Sequence, residues 1–400
     1  MLRKLGIAVA AAMAVGTAQA QISGGVVKIG VLSDMSSLYA DIGGPGSVVA
    51  ARMAVEDFGA AKKGMKVEIV SADHQNKPEV GSSIARQWYD TDGVDVIVDV
   101  PTSSVALAVN QVTREKAKAF LVSGAATSDL TGKACSPNTI HWTYDTWMLA
   151  HGTGGAIVKT GGDTWFFLTA DYAFGHALER DTAEVVKANG GKVLGAVRHP
   201  LNTQDFSSFL LQAQSSKAKI IGLANAGGDT INSIKQAAEF GIVRGGQNLA
   251  GLLVFISDVN ALGLDKAEGL ILTETFYWDQ NDQTRAFAKR FAPQNKNHMP
   301  TMVQAGVYSA VLHYLKAVEA AKTDDGTKVV AKMKELPTDD PLFGKGRIRQ
   351  DGRKLHNAYL FEVKKPSESK GAWDYYKLRS TIPADQAFRP EKEGGCPLVK

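Results

Sequence analysis

Short apolar runs alternate with amphipathic segments from Val26 onwards, and this alternation limits the fold more than any other feature of the chain. In the first amphipathic segment, Val48, Ala51, Val55 and Phe58 recur at spacings of three and four, which places them on one helix face. The apolar runs are rich in Val, Ile and Leu, as buried strands are; they are Val26–Leu32, Lys66–Ser71, Val94–Val100 and Ala119–Val122. Strand–helix–strand repetition predicts a parallel sheet with helices on both faces.

The alternation restarts after about Asp145 and predicts a second, similar α/β unit. Its strands are predicted at Trp165–Thr169, Lys192–Val197, Lys219–Leu223 and Ala250–Phe255, and Leu270–Phe276 ends the series. A long helix follows, with one apolar stripe formed by Val303, Val307, Val311, Tyr314 and Val318. The last part predicts antiparallel strands at Gly346–Ile348, Ala358–Val363 and Trp373–Leu378. Because no low-complexity linker separates the halves, we expect two interleaved lobes between which the chain crosses more than once.

The first 20 residues are typical of a secretory signal peptide. Arg3 and Lys4 form a basic start, and the apolar stretch from Leu5 to Val15 is too short to span a bilayer comfortably. Ala18-Gln19-Ala20 matches a cleavage signature, so we expect cleavage after Ala20; the alternative is an ordinary N-terminal helix. Export would deprive the protein of cytoplasmic ATP and NADH, which disfavours enzymes that need them.

Composition and charge are those of a globular protein without a nucleic-acid partner. Hydrophobic residues make up 44% of the chain and charged residues 22%, and the net charge is +4. Removal of Arg3 and Lys4 lowers that charge to about +2, which is too balanced for a nucleic-acid-binding surface.

The chain has two cysteines, Cys135 and Cys396. In an exported protein a lone pair of cysteines is most simply one disulfide, which here would tie an irregular C-terminal tail to the first third of the chain. The alternative is two buried thiols.

Catalytic and cofactor motifs are missing from the sequence. It contains no GxSxG, no HExxH and no histidine pair at metal-ligand spacing, so we expect no enzyme, no metal and no cofactor. Gly43-Gly44-Pro45-Gly46 lacks the Lys-Ser/Thr of a phosphate-binding loop. We interpret it instead as a loop whose backbone N–H groups, at the start of the next helix, face a ligand.

Three loops of the first unit carry small hydroxyl residues directly after predicted strands: Ser33–Tyr39, Thr102-Ser103-Ser104 and Gly124–Ser128. Ligands of open α/β sheets bind at the carboxyl ends of strands. Hydroxyl groups and helix N-termini at that edge favour a carboxylate or another anionic group. The alternative is that these residues only cap the following helices.

The equivalent loops of the second unit carry different chemistry: Asp171–Gly175, Asn225–Asp229, Ser257-Asp258 and Phe276-Tyr277-Trp278. Aromatic side chains facing hydroxyl groups across a cleft would enclose an apolar or planar ligand. For residues 276–278 the alternative is core packing at a hinge. Asp258 is the candidate partner for a ligand ammonium group, and its alternative role is a helix cap.

These residues resemble the periplasmic solute-binding proteins of ABC importers, in the branched-chain amino acid-binding group. The resemblance runs over essentially the whole mature chain. It is carried by VVKIGVLSDMSSLYADIGGPGSVVAARMAVED (26–57), SSVALAV (103–109), SGAATSDLTG (123–132), ADYAFG (170–175), ANAGGDTINSIKQA (224–237) and AEGLILTETFYWD (267–279).

The resemblance implies a type I periplasmic-binding-protein fold, in which two Rossmann-like lobes with parallel sheets are joined by three hinge crossings. We expect lobe one at residues 26–144 and 274–350, lobe two at 145–273 and 351–380, and a tail at 381–400 that returns to lobe one. The implied partners are a small carboxylate ligand and an inner-membrane ABC permease, the implied compartment is the periplasm, and we expect a monomer.

The resemblance also implies site residues. Ser103, Ser104, Ala125 and Thr127 would hold a ligand carboxylate, and Tyr172 and Phe174 would cover it. The Ser257-Asp258 loop corresponds to the region that supplies an acid in amino-acid binders, but it is shorter here. The full candidate set is Tyr39, Ser103, Ser104, Ala125, Thr127, Tyr172, Phe174, Asn225, Asp258, Tyr277 and Trp278.

We therefore expect an amino acid or a similar solute. The alternatives are an aromatic or aliphatic carboxylic acid as the ligand, or a role as the ligand-sensing subunit of a receptor.

Overall fold

A computed structural model describes residues 22–400; the expected signal peptide and its cleavage site lie outside the described residues. The first lobe is built on a five-stranded parallel sheet of order β2-β1-β3-β4-β5. Its strands are β1 (Val27–Ser33), β2 (Val67–Asp73), β3 (Val96–Asp99), β4 (Ala119–Val122) and β5 (Thr139–His141). Between them lie the helices α1 (Gly44–Phe58), α2 (Pro78–Asp90) and α3 (Ser103–Lys116).

The second lobe is built on a four-stranded parallel sheet of order β7-β6-β8-β9. The chain enters it through α4 (Thr146–Leu149), a π-helical turn (Ala150–Gly154) and α5 (Gly155–Lys159). The strands are β6 (Thr164–Ala170), β7 (Lys192–His199), β8 (Ile220–Ala224) and β9 (Asn248–Gly251). The helices are α6 (Ala173–Ala188), α7 (Ser207–Ser215), α8 (Gly228–Glu239), α9 (Ile256–Leu262) and α10 (Leu264–Ala267).

The chain then crosses back between the lobes. After β10 (Ile271–Glu274) it forms α11 (Asp282–Phe291), α12 (Met302–Ala321) and α13 (Gly326–Glu335), and α12 packs against α1 of the first lobe. A small antiparallel sheet comprises β11 (Thr338–Asp340), β12 (Gly344–Ile348) and β13 (Lys354–Leu355). The chain returns to pair β14 (Ala358–Val363) and β15 (Tyr376–Ile382) with β10, and α14 (Ala384–Ala387) precedes the tail.

This arrangement confirms the predicted α/β fold with parallel sheets in two lobes. The lobe limits given above stay a prediction.

Local sequence signals define where the helices beside the cleft begin and end. Pro45 lies in the first turn of α1, and Gly59, with a φ of 72°, ends that helix in the left-handed conformation. Among residues 22–400, no helix has the length and apolar character that crossing a bilayer requires.

Several strands differ from the sequence prediction, and two of them, β5 and β9, affect the cleft. β5 was not predicted, because its three residues include a threonine and a histidine and form no apolar run. The predicted strand Ala250–Phe255 is too long, since β9 ends at Gly251 and residues 252–255 form a loop. The short strands β11 and β13 were also not predicted.

The predicted disulfide is confirmed: Cys135 and Cys396 are bonded across 261 residues of sequence. The bond holds the C-terminal tail against the segment that follows β4. Arg389 of the tail donates a hydrogen bond to the Ser128 carbonyl oxygen at 3.0 Å, so the tail contacts the first lobe beside the cleft.

Replacing both cysteines by serine is expected to lower the free energy of unfolding by about 2–5 kcal/mol, because the unfolded chain regains the freedom that the closed loop removes. Urea denaturation of the oxidised protein and of the Cys135→Ser/Cys396→Ser variant measures the difference. The wild-type protein treated with reductant is the control and should behave like the variant. Equal midpoints for oxidised wild type and variant would contradict the expectation.

Candidate ligand-binding site

A small, mostly apolar cavity lies between the carboxyl edges of the two sheets. Every residue that lines it belongs to a loop or helix start that follows a parallel strand, as expected for an α/β sheet. No charged side chain is among the lining residues, which are Tyr39, Ile42, Pro101, Gly124, Ala126, Tyr144, Tyr172, Phe174, Ala226, Leu253 and Phe255.

On the first lobe, hydrogen bonds hold the loop after β4 in place, and two of them lie beside the cavity. The Tyr144 hydroxyl donates to the Gly124 carbonyl oxygen at 2.5 Å. The Thr127 N–H donates to Ser103 Oγ at 3.2 Å, which ties this loop to the first turn of α3. The first N–H groups of α3 have no acceptor within the helix, so its positive end lies beside the loop. This combination suits a carboxylate.

On the second lobe, aromatic residues at helix starts face the cavity. Tyr172 precedes α6 and Phe174 lies in its first turn, with ring centroids 5.9 Å apart. Phe255 precedes α9 and packs edge-on against Tyr144 of the opposite wall, at 6.1 Å between centroids. The cavity walls are therefore rings from both lobes.

The two lobes touch directly over the cavity. The hydroxyl groups of Tyr39 and Tyr172 share a hydrogen bond of 2.7 Å. Gly227, with a φ of 57°, lies so close to the first lobe that a Cβ there would be 2.6 Å from the Leu38 carbonyl oxygen. The lobes are thus closed on each other, and this approach requires glycine at position 227.

Burial raises the pKa of the cavity tyrosines Tyr39, Tyr144 and Tyr172 well above the ordinary value. An ionised phenolate would lose its hydration there without gaining a cationic partner. These hydroxyl groups therefore stay protonated at physiological pH. The Tyr144 proton is donated to the Gly124 carbonyl oxygen, and one of Tyr39 and Tyr172 donates to the other.

Seven of the candidate residues lie at or beside the cavity. Tyr39, Tyr172 and Phe174 line it. The others support the lining: Ser103 and Thr127 form the hydrogen bond described above, Ala125 lies between two lining residues, and Ser104 is half-buried in the first turn of α3.

Asn225, Tyr277 and Trp278 do not line the cavity. The Asn225 amide, in the loop that precedes α8, donates to Ser233 Oγ of that helix at 3.0 Å. The Tyr277 hydroxyl and the Trp278 indole N–H both donate to the Trp373 carbonyl oxygen, at 3.3 and 2.8 Å. Core packing, the alternative left open by the sequence for residues 276–278, is the arrangement present in the structure.

Asp258 is buried, and its carboxylate accepts a hydrogen bond from the Phe255 N–H at 2.9 Å. It therefore caps α9, which is the alternative role that its position suggested. Burial raises the pKa of Asp258 to about 7, although the bond from Phe255 acts in the opposite direction.

Eight lining residues were not among the candidates: Ile42, Pro101, Gly124, Ala126, Tyr144, Ala226, Leu253 and Phe255. Leu253 and Phe255 fall within the predicted strand Ala250–Phe255, which extends four residues beyond the end of β9. Tyr144 follows β5, which was not predicted. Gly124, Ala126 and Ala226 are direct sequence neighbours of candidates. The sequence therefore identified the correct loops but not the residues of each loop that face the cavity. Among residues 22–400, no three His, Cys, Asp or Glu side chains converge to hold a metal ion.

Comparison with known proteins agrees with this geometry. The periplasmic binding protein family matches residues 26–372, and the chain belongs to that family. It is similar to a periplasmic binding protein from Burkholderia mallei, with 55% identity, a TM-score of 0.92, and coverage of 94% of this chain and 100% of that one.

Two further structures are similar. A branched-chain amino acid ABC transporter periplasmic ligand-binding protein from Burkholderia xenovorans is 42% identical, with a TM-score of 0.82 and coverage of 94% of this chain and 100% of that one. A solute-binding protein of an ABC transporter from R. palustris, in complex with benzoate, has the same coverage and a TM-score of 0.81; at 22% identity it shares the fold alone.

Replacing Asp258 by asparagine is expected to make stability less dependent on pH. The folded state holds the Asp258 proton up to about pH 7, whereas an unfolded aspartate releases it near pH 4. Ionisation therefore costs stability as pH rises between these values, by about 2–3 kcal/mol from pH 5 to pH 8. Asparagine keeps the oxygen that caps Phe255 and does not ionise.

Urea denaturation of wild type and Asp258→Asn at pH 5, 6, 7 and 8 checks this. The variant is expected to gain stability relative to wild type as pH rises. Because all other titrating groups are shared, the difference isolates Asp258, and a constant difference would contradict the raised pKa.

Proposed function

We propose that the protein is the periplasmic solute-binding component of an ABC importer and that its ligand is a small carboxylate with an apolar, planar body. In this proposal the protein is no enzyme: it is a monomer that delivers its solute to an inner-membrane ABC permease. Ligand binding favours the closed arrangement of the lobes over an open one, through a hinge motion. Membership of the periplasmic binding protein family and the closed interlobe cavity support this role.

The observation that carries the ligand class is the lack of charge on the cavity wall. An amino acid would bring an ammonium group into a space whose lining residues include no acid. The nearest sequence candidate, Asp258, is engaged by the Phe255 N–H. A buried ammonium group without a carboxylate partner costs several kcal/mol, so the wall favours a ligand that lacks one.

The seat for the carboxylate is on the first lobe, where the positive end of α3 meets the loop after β4. Backbone N–H groups at a helix start bind anions without a cationic side chain. The rings of Tyr144, Tyr172, Phe174 and Phe255 would enclose the remainder of the ligand. Aromatic rings prefer offset or edge-to-face contacts with other rings, so this lining favours a planar, aromatic body.

Benzoate-type acids are therefore our first candidates, and benzoate is the ligand of the R. palustris protein that shares the fold. A branched-chain amino acid is the second candidate, because the relative from Burkholderia xenovorans is named as a branched-chain amino acid transporter protein.

Calorimetric titration with benzoate, 4-hydroxybenzoate, phenylalanine and leucine separates the two candidates. We expect an aromatic acid to bind, and we expect Asp258→Asn to change its Kd by less than about threefold, since no ligand charge faces Asp258. Tight binding of leucine or phenylalanine that the substitution weakens by about 2–5 kcal/mol would establish an ammonium contact and overturn our ligand class.

Tyr144→Phe tests the seat. The ring stays, but the Gly124 carbonyl oxygen loses its buried donor, so we expect ligand affinity to fall by about 1–3 kcal/mol. Tyr375→Phe is the matched control, because that hydroxyl bonds to Asn260 outside the cavity. If both variants bind as wild type does, the Tyr144 hydroxyl has no part in forming the seat.

A further inference from the structure

The loop after β4 has two sides, and the second side contacts the opposite lobe. We name residues 124–131 the seat loop. Gly124 and Ala126 face the cavity from it. Ser128 and Asp129 lie further along the loop, and their side chains meet helix α6 of the second lobe.

Arg180 and Asp181 of α6 bind the seat loop through three hydrogen bonds. Asp181 Oδ2 accepts from Ser128 Oγ at 2.8 Å. Arg180 donates to Asp129 Oδ1 at 3.2 Å and to Ser128 Oγ at 2.9 Å. These bonds join the two lobes at a point outside the cavity.

The Asp181 carboxylate is well satisfied although it is only 3% exposed. Thr146 Oγ1 donates to Oδ2 at 2.6 Å, and Arg180 donates to Oδ1 at 2.9 Å. Loss of a partner would leave a buried charge underpaired, which costs more than an exposed ion pair does. Arg180 is 39% exposed, so its removal does not open the core.

Helix α6 links this contact to the cavity. Its first turn carries Phe174, which lines the cavity wall, and Arg180 lies less than two turns further on. One helix therefore positions both the aromatic wall and the group that holds the seat loop. From the other side, Arg389 of the disulfide-bonded tail donates to the Ser128 carbonyl oxygen, so the loop is held from both lobes.

We propose that Arg180 and Asp181 are positioning residues for ligand binding: from the second lobe they hold the seat loop in the conformation that receives the ligand's carboxylate. This inference rests on the proposed function. It implies that lobe closure and carboxylate binding are coupled through Ser128 and Asp129, because their hydrogen bonds to α6 form only when α6 lies against the seat loop.

Arg180→Gln is the test variant, and Arg198→Gln is its matched control. Arg198 belongs to the same lobe, is 48% exposed and pairs with Glu179 of that lobe, so its replacement removes the same charge without touching the seat loop. The measurements are Kd by calorimetry and dissociation rates by stopped flow with benzoate and 4-hydroxybenzoate, together with thermal unfolding.

We expect Arg180→Gln to raise Kd about tenfold, mainly through faster dissociation, and Arg198→Gln to leave Kd unchanged. Arg180→Gln should unfold at a lower temperature than Arg198→Gln, because the buried Asp181 carboxylate loses a partner, so binding is measured well below both transitions. Asp129→Asn should also weaken binding, and the double variant Asp129→Asn/Arg180→Gln should lose less than the sum of the single losses, because the two residues act through one contact.

If wild type binds a carboxylate and Arg180→Gln binds it equally well, or if both arginine variants weaken it equally, the positioning role is wrong while the proposed function stands. If wild type binds none of the acids or amino acids, the proposed ligand class fails instead. In that case small-angle scattering decides the positioning role: loss of Arg180 should expand the protein relative to Arg198→Gln, and equal radii of gyration would overturn it.

Discussion

The polar groups of Tyr39, Tyr144 and Asp258 are buried where the two lobes meet, so each needs a hydrogen-bond partner there. The Tyr39 hydroxyl shares a hydrogen bond with the Tyr172 hydroxyl. The Tyr144 hydroxyl donates to the Gly124 carbonyl oxygen, and the Asp258 carboxylate accepts from the Phe255 N–H. These pairings leave the rings and aliphatic groups to form the wall. The proposed ligand class follows from this constraint, because the lining residues include no charged side chain to pair with a second ligand charge.

A buried ion pair joins two of the segments that connect the lobes. Arg353 donates to the Asp145 carboxylate at 3.3 Å and to the Tyr144 carbonyl oxygen at 3.1 Å, and it is fully buried. His356 donates to the Thr143 carbonyl oxygen at 2.8 Å. The segment after β13 therefore binds the segment after β5, one residue of which, Tyr144, is part of the cavity wall. Removing one partner of a buried pair leaves the other charge uncompensated, so a change at this junction is expected to be strongly destabilising.

The sequence predicted the sheets and the correct loops, because parallel strands bring their carboxyl ends to one edge and apolar runs reveal the strands. Tyr39, Tyr172 and Phe174 were found in this way. Tyr144 was missed because β5 is short and polar, and Phe255 was missed because an apolar loop continues β9 without a visible break. For Asn225 the loop was correct, since Ala226 beside it lines the cavity, but the Asn225 side chain bonds to α8 instead. The segment that contains Tyr277 and Trp278 does not line the cavity, because tertiary packing, which no local pattern encodes, directs both side chains to Trp373.

Closure joins distant parts of the chain at one loop. The seat loop contacts α6 through Ser128 and Asp129, the tail through Arg389, and the crossing after β5 through the Tyr144 hydroxyl on Gly124. A ligand shifts the balance between open and closed lobes only by the free energy that differs between the two states. In the proposed hinge motion, groups that meet across the lobes contribute to that difference even without lining the cavity, as Arg180 and Asp129 do. The proposal therefore makes ligand affinity depend partly on contacts between the lobes, at residues that a list of cavity-lining positions does not contain.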